Sequence, residues 1–329
     1  MRIALDARTL YAPQRRGIGK SLLQLYRHLA QVRPDWRIIA YHRQPHASPL
    51  PLPEGFAQPR RIEMPGDRFD AWLRWRLPWS AMRDGVDLLH CPANVCPAWM
   101  PVPTVVTVHD LIPLDLPHAH TPTHVERFRQ SVRVACQRAA AVLCPSHYTR
   151  RRLIQDMGAD PRRVHVMPWA GDEPAPAPVT HQPSALLGRF RVAPPYVLHL
   201  GAADPRKNTR GLIEAWAALP TEHRGQWKLL IVGLDDATRR DLSRLCQQRG
   251  VSETVVLHGF VHEDELPALM ASAQVLAYPS LSEGFGLPIL EAFAQGVAVL
   301  AGNATILPEV AGDAAVLVDP QDVQAIRDA

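Results

Sequence analysis

Short runs of consecutive apolar residues alternate with amphipathic stretches along almost the whole chain. In the first half the runs are RIAL, WRIIAY, VDLLH, TVVTV, AVLCP and VHVMP, with helical spacing starting near Gly19, Thr123 and Ser146. In the second half they are YVLHL, KLLIVG, TVVLHG, AQVLAYP and GVAVLAG, separated by helical stretches near 209–218, 237–249, 264–273 and 287–294. Unbroken apolar runs joined by helices suit parallel strands covered on both faces, so the chain predicts βαβ units throughout.

Between the halves, Pro174, Pro176, Pro178, Pro183, Pro194 and Pro195 crowd a stretch without periodicity, which reads as a semi-stiff linker. The expected organisation is an N-terminal Rossmann-like domain at 1–172, a Pro-rich linker at 173–195 and a C-terminal Rossmann-like domain at 196–329. A length of 329 residues also suggests two domains. Two such α/β layers would put a ligand cleft between them, at the carboxyl ends of both sheets.

Composition narrows the class. With 47% apolar and 21% charged residues, the chain is neither disordered nor fibrous. A net charge of +4 suits an anionic ligand or membrane surface, although such surpluses are mostly solvated surface. No nucleic-acid partner is expected. No run of 18 apolar residues occurs, and MRIALDARTL enters a strand directly, so a cytoplasmic location is expected. Cys91, Cys96, Cys136, Cys144 and Cys246 form an odd set without a C-x-x-C pair, indicating neither a disulfide framework nor a zinc site.

RRGIGKS at 15–21 looks like a phosphate-binding P-loop, but five residues before Gly19 stands Gln14, where that loop needs glycine. A dinucleotide fingerprint fails as well, because Leu22 occupies the third glycine position. What remains is a Gly17-Ile18-Gly19 turn opening a helix with Leu22, Leu25, Tyr26 and Leu29 on one face. It is either an anion site at a helix N-terminus or simply a tight turn.

The densest stretch is SEGFGLPILEAFAQG, 282–296. Pro288 fits the first turn of a helix, which places Glu283 in the preceding loop and Glu291 in the opening turns, eight residues on. Gly284 and Gly286 have no side chain to hold a ligand off, and two carboxylates that only accept hydrogen bonds suit the paired hydroxyls of sugars. A glycine turn with Glu291 favouring the helix dipole is the plainer alternative. GAADPRKN, 201–208, puts Arg206 and Lys207 on a strand-to-helix loop, where adjacent cations could hold a diphosphate and stabilise it as it leaves. TVVTVHD ends a strand at His109 and Asp110, where the histidine is either an acid/base or substrate-orienting group or a capped strand-end residue.

Other signals carry less. His118, His120 and His124 give H-x-H-x3-H, but Pro117 and Pro122 make the stretch an irregular loop with no carboxylate or cysteine to complete a metal set, and no D-x-D triplet occurs, so no metal is expected. DRFDAWLRWRLPWSAMR interleaves Trp72, Trp75 and Trp79 with Arg68, Arg74, Arg76 and Arg83. Core packing by the tryptophans with solvated arginines is the favoured reading, and a basic amphipathic membrane helix the other.

The chain resembles the family 4 retaining glycosyltransferases of GT-B fold over nearly its whole length. The resemblance rests on E-x7-E at Glu283 and Glu291 within PSLSEGFGLPILEAFAQG, on GAADPRKN, on LPEVAGDAAVLVDP and on the DAR and RGIG pieces. It implies a nucleotide-sugar donor bound mainly by the C-terminal domain and a saccharide or lipid-linked saccharide acceptor bound mainly by the N-terminal one. Mannose or rhamnose transfer in surface polysaccharide assembly, at the inner membrane face and without metal or cofactor, is the activity implied. By the resemblance, Glu291 takes the ribose hydroxyls and Glu283 the donor sugar, beside Gly284, Phe285, Gly286 and Leu287. Arg206 and Lys207 hold the diphosphate next to Gly201, Gly17 and Gly19 let the first helix approach the phosphates, and His109 with Asp110 lies near the reacting sugar. Departures from the family pattern are Lys20 and Ser21 for Arg-Tyr, Asp204 for glutamate, Ala298 for proline and Ile306 for serine. Relatives continue past VDP with further helices, so the C-terminal helices are expected to be missing here. An acceptor-independent epimerase or hydrolase, and an inactive nucleotide-binding module, stay open as alternatives.

Overall fold

In the computed structural model, which describes residues 1–12, 17–44, 50–63, 70–97, 99–170, 183–262 and 264–329, each apolar run is a strand in one of two parallel sheets. Two units divide the chain, Met1–Trp169 and Ala170–Ala329. The first contains β1 (Arg2–Asp6), β2 (Arg37–His42), β3 (Ala57–Arg61), β4 (Leu88–Cys91), β5 (Thr104–Thr107), β6 (Ala141–Cys144) and β7 (Val164–Val166) in the order β3-β2-β1-β4-β5-β6-β7. The second contains β8 (Tyr196–Leu200), β9 (Lys228–Val232), β10 (Val255–Leu257), β11 (Val275–Tyr278), β12 (Ala298–Gly302) and β13 (Val316–Val318) in the order β10-β9-β8-β11-β12-β13. Both orders run outward from the first strand of the unit and then reverse, so each sheet has a switch point: β1 beside β4 in one, β8 beside β11 in the other. In doubly wound sheets ligands bind there, outside the carboxyl ends of the strands.

Alternation along the strands divides the core. Ile3, Leu5, Ile38 and Ala40 pack on one face of the first sheet with Leu22, Leu23 and Tyr26 of the helix Gly17–Val32. Ala4, Ile39 and Tyr41 point the other way, onto Trp72, Leu77 and Leu89. The second sheet repeats the scheme, with Tyr196, Leu198, Leu230 and Leu276 on one side and Leu229, Ile231, Ala277 and Leu300 on the other. Period-two side-chain direction turns a run that is apolar at every position into two buried faces.

Three expectations need correction. The apolar runs do not include β3, whose AQPRR is mostly exposed, or β13; both are edge strands, paired on one side only, and need less apolar surface. The expected linker 173–195 is linker only in part. Residues 171–182 lie outside the described residues, but Pro183–Arg189 is a helix and Leu186, Leu187, Phe190 and Val192 are buried in the second core. Of the three tryptophans in the basic stretch, only Trp72 is core, donating its indole N–H to Ile62 O at 3.0 Å. Trp75 and Trp79 are exposed, because the segment Trp72–Arg83 can turn only one face toward the sheet.

Candidate functional site

The loops that follow β8 and β11 meet at the switch point of the second sheet. On its other side the loop after β8 packs against the end of β9, where two glycines allow a close approach: a Cβ on Gly201 would lie 2.9 Å from Ile231 Cγ2, and Gly233, at φ +88°, would place one 2.8 Å from Gly201 O. The expected donor-binding residue Gly201 therefore has a packing reason to be glycine. Beyond it, Asp204 Oδ1 accepts from Arg206 N at 3.0 Å and sets the short turn Pro205–Lys207. Leu281 N donates to Arg206 O at 2.7 Å, which binds the second loop to the first.

This places Glu283 between two cations. Lys207 Nζ lies 2.7 Å from Glu283 Oε1, Arg206 ion-pairs with Glu283 Oε2 and donates to Ser282 O at 3.2 Å, and Asp204 Oδ2 takes Arg206 Nε at 2.6 Å. Tyr278, at the end of β11, accepts from Lys207 Nζ at 2.8 Å, and its ring centroid is 4.7 Å from that nitrogen. Glu283 N donates to Thr305 Oγ1 at 3.2 Å. Burial pushes the Glu283 carboxyl up, but Lys207 and Arg206 outweigh it and hold the group below the usual carboxylate range. Burial pulls the Lys207 ammonium down, as does Arg206 beside it, against the attraction of Glu283. Burial opposes the charge on Arg206 too, yet Glu283 and Asp204 raise its pKa. Burial, and then the Glu283 charge, keep Tyr278 a phenol.

The sequence presents Glu283, Arg206 and Lys207 as separate tools; the structure joins them in one network of two cations and two carboxylates. An incoming anion would compete with Glu283 for both cations. Asp204, Tyr278 and Thr305 have no part in the sequence reading beyond Asp204 as a departure, since strand-end and loop residues of ordinary type carry no periodic signal. Glu291 lies in the helix Leu287–Ala294, whose predicted bounds agree, and its charge contributes to the shift of Tyr278. Gly284 is half-buried, Phe285 is buried and Leu287 opens that helix. Gly286 caps it at φ +107°, where a Cβ would lie 2.9 Å from Leu307 Cδ2, so conformation and packing both require glycine there.

In the first unit, the strand ends hold a second polar set. Asp6 closes β1 and takes the Arg8 guanidinium at 2.9 and 2.7 Å, while Arg8 stacks 4.6 Å over Trp72. His90, at the neighbouring strand end, bridges the Tyr26 hydroxyl at 2.9 Å and Thr107 Oγ1 at 2.8 Å. His109 N donates to Asn94 Oδ1 at 2.6 Å, and its Nε2 faces the Pro92 carbonyl. A carbonyl only accepts, so Nε2 carries the proton and Nδ1 is left as an acceptor. That Nδ1 is buried with no hydrogen-bond partner among the described residues, and the His109 and Trp169 ring centroids are 4.7 Å apart, edge to face. Burial lowers the His109 pKa to about 4 against the Pro92 contact, so the ring is neutral near pH 7. This geometry favours a substrate-orienting acceptor over an acid. Asp110 Oδ1 accepts from Ile112 N at 3.1 Å. Gly17 is the first residue of its helix, which starts two residues before Gly19, and Gly19 is buried within it; Arg15 and Arg16 lie outside the described residues. A cavity of about 610 Å³ in the same unit has an apolar lining of Leu73, Val95, Cys96 and Val134, with Arg74 and Arg127 among its polar residues.

Comparison with known proteins identifies the family. The model described as "Glycosyltransferase Family 4" matches residues 15–172, and "Glycosyl transferases group 1" matches 188–329. The O-antigen chain mannosyltransferase B of Escherichia coli is 31% identical over 328 residues, covering 94% of this chain and 84% of that protein. The serotype-specific mannosyltransferase WbdA of E. coli is 31% identical over 69% of this chain, which spans only 29% of that longer protein. Among solved structures, Anabaena HepE in complex with UDP and glucose superposes with a TM-score of 0.72 at 20% identity, covering 100% of this chain and 88% of that one. Sucrose-phosphate synthase from Thermosynechococcus elongatus gives 0.74 at 20% identity, with the same coverage. With both units matched by glycosyltransferase models and both sheets superposing on such enzymes, the chain belongs to the family 4 glycosyltransferases and is a transferase of GT-B fold.

Proposed function

We propose that this chain moves a hexose or deoxyhexose, mannose first and rhamnose second, from a nucleotide-sugar donor to a growing, lipid-linked surface polysaccharide. The observation that carries the reading is the Arg206–Glu283–Lys207 network at the switch point of the second sheet. Its two cations answer the two charges of a diphosphate, and its carboxylate, released from them by that exchange, becomes an acceptor for sugar hydroxyls. Glu291, one helical stretch further on, takes the ribose hydroxyls. The named activity of O-antigen mannosyltransferase B, similar over 94% of this chain, supports mannose and polysaccharide assembly. HepE, crystallised with UDP and glucose, supports the nucleotide-sugar class.

In this scheme the acceptor hydroxyl attacks the anomeric carbon on the face from which the diphosphate departs. The carbon–oxygen bond to the diphosphate breaks as the new glycosidic bond forms, and the hydroxyl proton passes to the departing phosphate oxygen, so the α configuration is retained. Arg206 and Lys207 meet the charge that grows on the leaving group, and transfer is expected to survive a chelator. The test is thermal shift with GDP-mannose, dTDP-rhamnose, UDP-glucose and UDP-N-acetylglucosamine in the presence of chelator, on native protein and on Glu291→Ala. One donor that stabilises only the native protein supports the reading and names the sugar. Stabilisation by none, or only with added metal, overturns it.

A further inference from the structure

Among the described residues, Asp70, Asn94, Arg191, Asn208 and Thr305 have positive φ without being glycine. Asparagine and aspartate enter that left-handed region readily, because a short polar side chain can hydrogen-bond locally. Thr305, at φ +52°, is the β-branched member of the set, and a branched Cβ is crowded there. Such a conformation persists only where the surrounding structure over-determines it.

The surroundings of Thr305 do so. It lies on the loop between β12 and the short helix Leu307–Ala311. At the start of that loop Asn303 N donates to Val318 O at 2.6 Å, and a Cβ on Gly302 would lie 2.5 Å from Ser280 O, so the loop after β12 rests directly on the loop after β11. Beyond Thr305, Ile306 and Leu307 are fully buried, and Leu307 backs Gly286. Pinned on both sides, Thr305 aims its hydroxyl at the main chain of the buried residue Glu283, and Oγ1 accepts from Glu283 N at 3.2 Å. Of Asn303, Ala304, Thr305 and Ile306, only Thr305 has a hydroxyl. Glycine, the unstrained choice for this backbone, would leave that N–H without its acceptor.

The other holds on the Glu283 loop come from the loop after β8. Leu281 N donates to Arg206 O at 2.7 Å, Arg206 donates to Ser282 O at 3.2 Å, and Arg206 and Lys207 both engage the carboxylate. A diphosphate that recruits the two cations withdraws them from that carboxylate and competes for the Ser282 contact. The bond to Thr305 involves neither cation, so this exchange leaves it in place. We propose that Thr305 is a positioning residue that fixes the main chain of Glu283 while its carboxylate turns from the cations to the donor sugar. Its role rests on the transferase reading of the site, whereas the dihedral and the Oγ1 contact stand without it.

The test compares native protein with Thr305→Val, which keeps the branch and volume but not the acceptor, Thr305→Ser, which keeps the hydroxyl, and Thr305→Gly, which removes hydroxyl and strain together. With GDP-mannose as donor, kcat should fall about tenfold or more in the valine and glycine variants and return to within about threefold of native in the serine one. GDP, which has no sugar, should bind native protein and all variants within about twofold, because Arg206 and Lys207 are untouched. Thr305→Gly should have a urea midpoint at or above the native one, since release from the left-handed region offsets the entropy of glycine, so its lost turnover is not a lost fold. Hydrogen exchange at the Glu283 amide, with inorganic pyrophosphate present, should quicken about tenfold in Thr305→Val and stay near native in Thr305→Ser. An unchanged kcat in Thr305→Val overturns the proposal, as does amide exchange as slow as native in that variant, or a loss that serine fails to recover. A native chain that transfers nothing from GDP-mannose would count against the mannose-transfer reading, and the exchange comparison would still decide whether Thr305 holds Glu283.

Discussion

Lys207 Nζ sits 2.7 Å from Glu283 Oε1 and 2.8 Å from the Tyr278 hydroxyl, so a half-buried ammonium is shared between the phenol that ends β11 and a carboxylate on the loop that follows it. Only the switch point makes this contact possible, since residues 76 apart in sequence reach one place through adjacent strands β8 and β11. A partnership of this kind is weakly stabilising as a whole and costly to break on one side.

Glu283→Gln leaves Arg206 and Lys207 facing each other with one carboxylate, Asp204, on the outer side of Arg206. The expected loss is about 3 kcal/mol of stability, with kcat/KM down about a hundredfold or more because the sugar contact and the order of both cations go together. Tyr278→Phe removes one neutral acceptor and should cost only about 1 kcal/mol. Urea titration of both variants beside initial rates checks this, and equal losses for the two would contradict the ranking.

Acid should destabilise the fold in two separable windows. His199 is buried between Ala277 O at 2.8 Å and Thr209 Oγ1 at 3.0 Å, and burial lowers its pKa from 6.5 to about 4; His90 falls to about 3 and His109 to about 4. Below pH 6.5 the unfolded chain takes these protons and the folded chain does not, so stability is full above pH 6.5 and falls toward 4, by up to about 1.4 kcal/mol per pH unit for each ring. Glu283 has the opposite proton chemistry but the same direction: its depressed pKa gives stability that is present above about 4.3 and is lost as pH falls through its folded value. Unfolding free energies at half-unit steps should therefore show His199→Gln flattening the upper window and Glu283→Gln the lower one.

Glycine at 286 answers to two constraints that can be pulled apart. Gly286→Ala should cost about 1–3 kcal/mol, from φ +107° and from the 2.9 Å approach to Leu307 Cδ2. Leu307→Ala relieves the contact but not the dihedral, so adding it should not restore the loop, and donor affinity should stay low in the double variant. Full recovery of the urea midpoint, beyond the additive sum, would show that crowding alone requires the glycine.

What the residues disclose in advance depends on how much of each signal is local. The buried strands are legible because Tyr196–Leu200 or Lys228–Val232 is apolar throughout, and the helix Leu287–Ala294 because Pro288 and the glycines mark its start. Glu283, Glu291, Arg206 and Lys207 stand out through a sequence motif. The pairing of Glu283 with both cations does not, since it depends on which strands become neighbours. AQPRR at β3 is invisible for a related reason: an edge strand with Pro59 draws its stability from β2 and not from its own pattern. Trp75 and Trp79 mislead because at three and seven residues after Trp72 they would share its face on a regular α-helix, whereas the wider π-helical turn Trp72–Arg76 rotates them away from it.

His109 offers the last prediction, since its tautomer follows from a single neighbour. Pro92 O can only accept, so Nε2 donates to it, and Nδ1 is a buried acceptor beside Trp169. With a pKa of about 4 the ring is neutral across the working range, so it should not act as the proton donor or acceptor of the transfer step. The kcat/KM profile between pH 5.5 and 8 should therefore have no limb that disappears on substitution. His109→Gln can still donate to Pro92 O and offer an amide oxygen where Nδ1 was, and should retain activity within about a hundredfold. His109→Phe leaves the Pro92 carbonyl unsatisfied and should lose about 1–3 kcal/mol of stability, with activity falling further than in the glutamine variant. A bell-shaped profile whose limb near 6.5 vanishes in His109→Gln would instead make this histidine an acid or base.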